Sequence, residues 1–184
     1  MISQDAEASF ERIFFHAART RLAAGNGICE IAPAAVADEP SGKQRNTRVR
    51  DADVAVLTIS ALPFRLLLTL TFRDDDATRD YFAATTQQPL QEAFMEVANL
   101  CCGAMNQALI EYFPDLGMST PYLLGAASIG YLRALAPAHL AAYDVTLGET
   151  VRVGATLCIC ANAPIDFHAR DMTAMETGGE LELF

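Results

Sequence analysis

At 184 residues, with 52% hydrophobic and 20% charged side chains, the chain can bury the core of one medium domain, which excludes intrinsic disorder. Thirteen Lys and Arg against 23 Asp and Glu leave a net charge of -10, which argues against nucleic acid and against an anionic membrane surface as partners. The opening residues are acidic and polar, unlike a secretory leader. The longest apolar run, 54–72, holds Pro63 and Arg65 in its middle and several Thr, so it reads as strands and not as a membrane span. A single soluble, cytoplasmic domain over 1–184 is expected. Five cysteines without a leader make a disulfide framework unexpected, and none shows zinc-ligand spacing.

In chain order, Phe10, Ile13, Phe14 and Ala17 predict a helix over 7–24, stopped by the Gly25-Asn26-Gly27 run. A short strand is expected at 28–31. Residues 37–52 are polar, basic and contain Pro and Gly, so they read as an exposed loop. Residues 53–61 and 64–72 predict a hairpin. Asp74, Asp75 and Asp76 could suggest a metal site. An Asp cap and negative charge at the start of a helix explain them better, and no metal site is predicted. The longest predicted helix covers 87–113, with Pro89 in its first turn. Pro121 should open a strand, another is expected at 128–135, and 141–161 alternate as a hairpin about Gly148 and Glu149. The tail, 163–184, reads as irregular. The predicted class is α+β, a mostly antiparallel sheet with long helices packed on it.

The long helix carries an unusual stripe. With Glu96 at zero and about 100° per residue, Gln88, Glu92, Asn99, Gly103 and Asn106 fall within about 80° on one side. No other residue of 88–106 falls in that arc, and no cation does in the whole segment. Leu100 is placed with the buried side. A core helix needs a solvated edge, but such an edge ordinarily mixes Lys and Glu in ion pairs. Two Asn and a Gly lower helix propensity there. A recognition or catalytic line and an ordinary polar edge both remain open on these residues.

The run Glu96-x-x-Asn99, with Gly103 four residues on and Pro121 further along after Ser119, resembles the CheC/CheX/FliY chemotaxis phosphatases, most of all the single-motif CheX proteins. Glu92 stands where that pattern more often has Ser or Asp, and the similarity covers roughly 53–125. The resemblance implies a phosphatase of phospho-aspartate on a CheY-like receiver domain. Asn99 would orient a water, Glu96 would pair with a receiver lysine, and Glu92, Gly103 and Asn106 would line the contact. It implies no cofactor of the protein's own, since Mg would be held by the receiver, and a possible homodimer joined at sheet edges. Alternatives are a catalytically silent receiver-binding module or a flagellar-switch-like structural module. A hydrolase with its own nucleophile is not expected: Ser119 is not in a nucleophile elbow, and His16, His139 and His168 have no partner that the sequence identifies.

Overall fold

A computed structural model describes residues 1–23, 27–36, 52–84 and 88–170. The elements are α1 (Gln4–Arg21), β1 (Cys29–Ala34), β2 (Ala52–Ser60), β3 (Phe64–Arg73), α2 (Asp76–Phe82), α3 (Leu90–Leu109), β4 (Gly117–Met118), β5 (Tyr122–Gly125), a 3₁₀ segment (Ala126–Leu135), β6 (His139–Leu147) and β7 (Val151–Ala161). The strands form one sheet in the order β1-β6-β7-β3-β2-β4, with β5 also on β2, and every pairing is antiparallel. This is the predicted α+β class. The expected loop at 37–52 and the Gly25-Asn26-Gly27 stop lie almost wholly outside the described residues.

Local chemistry fixes most boundaries. Ser3 caps α1, its Oγ accepting from the Ala6 N–H at 3.1 Å. Asp5 and Glu7 sit in the first turn and Arg19 and Arg21 in the last, matching the helix dipole at both ends. Asp75 caps α2, accepting from the Thr78 N–H at 2.9 Å and the Thr78 hydroxyl at 2.8 Å. Those two bonds hold its carboxyl below the ordinary carboxylate range. The acidic triplet is therefore a helix start, and among the described residues no cluster suited to a metal ion occurs. Gly148, at φ 59°, supplies the left-handed residue that the turn between β6 and β7 requires.

One face of the sheet carries the main core. Leu57, Ile59, Leu66, Leu68 and Leu70 of the central hairpin meet Phe10, Ile13 and Phe14 of α1 and Phe94, Met105 and Leu109 of α3. Phe94 stacks on Phe72 at 3.9 Å between centroids and meets Phe82 edge-on at 5.1 Å, which fixes the start of α3 over β3 and α2.

One expectation fails here. Residues 128–135 are not a strand but part of the 3₁₀ segment. Ala126, Ile129, Leu132 and Leu135 recur every third residue, the period of a 3₁₀ helix, and a short apolar run hides that period. This segment packs against β2, and its Leu135 carbonyl faces the Cys160 thiol at 3.8 Å. The tail is irregular but tied down as far as residue 170. Ser3 N–H donates to the Ile165 carbonyl at 3.0 Å, and Ala169 N–H donates to Ser9 Oγ at 2.9 Å. Phe167 packs on Phe10 and Phe113, with centroids 5.0 and 5.1 Å away.

Candidate functional site

The site is built on α3. Its first turn is anchored to the sheet by Gln91 Nε2, which donates to Asp53 Oδ2 on β2 at 2.8 Å. Its inner face is closed by Ala98, Cys101, Cys102, Met105 and Leu109, all buried. Burial pushes the Cys102 thiol up to about 12 and the Cys101 thiol higher still, so neither is a nucleophile at neutral pH.

Glu92 and Glu96 are exposed, one turn apart. Neither forms an ion pair with another described residue. Asn99 and Gly103 are half-buried beside them on the flank. An added Cβ at Gly103 would meet nothing within 4 Å, so no close packing inside the chain demands this glycine. Asn106 is also half-buried, and its Oδ1 is buried without a hydrogen-bond partner. Four of the five predicted site residues thus line the outer side of one helix, and Asn106 turns its carbonyl inward.

The polar stripe needs one correction. Leu100, assigned to the buried side by its position on the helical wheel, is 56% exposed. It follows Glu92 and Glu96 at i+4 steps along the crest of α3. A wheel alone does not show where α1 and the sheet stop covering the helix. The sequence does hold a second signal: no Lys, Arg or His lies between Arg79 and Arg133. The whole of α3 and the segment after it therefore offers only acidic, neutral polar and apolar groups.

Ser119 sits between β4 and β5 with its Oγ accepting from the Thr58 N–H and its own N–H donating to the Thr58 carbonyl, both at 2.9 Å. Its polar groups complete the β2 ladder. Pro121, lacking an N–H, stands between the two short strands. His139 does have acidic neighbours. Its ring lies between Glu7, 3.7 Å from Nδ1, and Glu11, 3.1 Å from Nε2, both on α1, and Nε2 is buried without a hydrogen-bond partner. His16 is half-buried on α1 and His168 is exposed.

Among the described residues no helix is long and apolar enough to cross a membrane. No protein-family model matches the sequence, and no curated protein does. Solved structures do. A chain of the CheX-CheY-BeF3-Mg complex from Borrelia burgdorferi is similar at 10% identity and a TM-score of 0.54, covering 86% of this chain and 99% of that one. A chemotactic CheC-like protein from Shewanella oneidensis gives 11% identity and a TM-score of 0.51, over 83% and 95% of the two chains. A CheC-like superfamily protein from Shewanella sp. PV-4 gives 10% and 0.50, over 85% and 98%. The sheet order, the two long helices on one face and these likenesses agree: the chain has the fold of the CheC and CheX chemotaxis proteins.

Proposed function

We propose that this protein hydrolyses the phospho-aspartate of a CheY-like receiver domain. The observation that carries the reading is Glu96 and Asn99 side by side on the outer flank of α3, with the Glu96 carboxylate unpaired among the described residues, in a fold also solved in a CheX-CheY complex. The step needs little from the phosphatase. Water attacks phosphorus in line, the P–O bond to the receiver's aspartyl group breaks, and that group leaves as a carboxylate without needing a proton. Catalysis is then mainly the placing of the water. The Asn99 amide has both a donor and an acceptor and no charge, so it can hold a water beside an anionic phosphoryl group, where a carboxylate would repel it. Glu96, about 5–6 Å away between Cβ atoms as an i,i+3 neighbour, is placed to take a receiver lysine and fix the register. The phosphate and its Mg belong to the receiver.

A second reading, a catalytically silent receiver-binding module, draws on one observation. Glu96 and Leu100 are more exposed than Asn99, which is half-buried. Asn99→Ala separates the two. On the phosphatase reading, phosphate release from a phosphorylated receiver falls by about two orders of magnitude or more while receiver binding persists. A receiver-binding protein without activity would show no catalysed release before or after the change. In either case a homodimer joined at a sheet edge would find Pro33 in edge strand β1, where the missing N–H shortens any shared ladder.

A further inference from the structure

We infer that Leu100 is the apolar half of a lysine-recognition pair with Glu96 and sets how tightly the partner docks; this rests on the receiver reading above. On the inner side of α3 Phe94, Met105 and Leu109 are fully buried and Met95 is half-buried, while Leu100 is 56% exposed. One exposed leucine is ordinary on any surface. Its neighbours are what give it meaning. It lies at i+4 from Glu96, so the two side chains are adjacent on the same ridge. The carboxylate has no cation among the described residues, and no cation is available on the same chain from Arg79 to Arg133.

A lysine is four methylenes ending in an ammonium, and it binds best where the stem meets an apolar surface and the head meets an anion. Leu100 followed back to Glu96 presents those two surfaces in that order. A second copy of this chain would bring the same acid-rich ridge and meet like charge. The occupant that fits is a receiver-domain face with a lysine next to its phospho-aspartate. Gly103, open to a 4 Å radius about an added Cβ, leaves room for that face beside Asn99.

The test uses the full chain and a CheY receiver domain phosphorylated with acetyl phosphate in Mg, with phosphate release followed at varied receiver concentration. Leu100→Ala should raise KM about 5–10-fold and leave kcat unchanged, because the truncated contact is made equally before and during the chemical step. Leu100→Met should restore KM to within about twofold, since it keeps the apolar surface. Introduced together with Glu96→Gln, Leu100→Ala should add little further loss, because the lysine it helps hold has already lost its anion. An unchanged KM in Leu100→Ala, beside a lost kcat in Asn99→Ala, would overturn the inference and leave the phosphatase reading standing. A change in sedimentation of Leu100→Ala with KM unaltered would also overturn it, by assigning the residue to self-association. If the unaltered protein neither releases the phosphate nor binds the beryllofluoride-loaded receiver, both fall together.

Discussion

The two long helices lie on the same face of the sheet and pack against each other, yet they are built to different rules. α1 begins with a side-chain cap from Ser3, carries acids in its first turn and arginines in its last. Every terminal feature agrees with its dipole. α3 follows Pro89 with no side-chain cap, carries Glu92 in its first turn but no base in its last, and meets Glu111 just beyond it. It also holds two Asn and a Gly, which α1 lacks. A side-chain cap and charges at both ends therefore stabilise α1, while α3 has a matching charge at its start alone and relies more on its buried face. The outer face of α3 sets two Asn and a Gly among Glu92, Glu96 and Leu100 without a single cation, and this contrast is what raises a recognition surface above an ordinary polar edge.

The largest expected effect tests the shared part of the two helices, their core. Phe10 of α1 is fully buried with Phe64 and Phe167 at 5.3 and 5.0 Å between centroids. Phe10→Ala should cost about 3–5 kcal/mol in denaturant unfolding, a large share of a domain's stability. Glu96→Gln on the crest of α3 should stay within about 0.5 kcal/mol. Equal costs at the two positions would mean that Glu96 has a structural partner and that the ridge is part of the fold. Next in size is the cap. Ser3→Ala removes the Ala6 bond and a 2.6 Å bond to Asp166, and should cost about 1 kcal/mol in the same measurement. α3 has no side-chain cap to lose. A cost near zero at Ser3 would remove one of the differences between the helices.

How legible these features are in the sequence depends on how local their causes are. The β2–β3 and β6–β7 hairpins, both long helices and the Asp75 cap follow from alternation, periodicity and neighbouring residues, and all of them form, with the ends of both long helices displaced from the expected bounds. The CheC/CheX-like spacing of Glu96, Asn99, Gly103 and Pro121 is equally local. Features set by distant contacts are hidden. The tail is held by Phe167 and by a hydrogen bond to Ser9, neither of which leaves a periodic trace. His139 finds Glu7 and Glu11 across almost the whole chain. Leu100 and Asn106 escape a sequence reading for a third reason. On a helical wheel they sit at the two margins of the stripe, and only the positions of α1 and the sheet decide which margin is covered.

The smallest effect discriminates most finely, because its two readouts move in opposite directions. Gly103 lies inside α3, and an added methyl would touch nothing within 4 Å. Gly103→Ala should therefore stabilise the fold by about 1 kcal/mol through helix propensity, raising Tm by about 2–4 °C for a chain of this size. If the outer side of α3 is merely a solvated edge, the variant should be better folded and otherwise unchanged. If a receiver rides over this flank to bring its phosphoryl group to Asn99, the same methyl intrudes on the contact, and KM should rise while the protein becomes more stable. A glycine that weakens its helix without being needed by the fold is accounted for by what approaches it from outside, and calorimetry and phosphate-release kinetics on this one variant distinguish that account from the solvated edge.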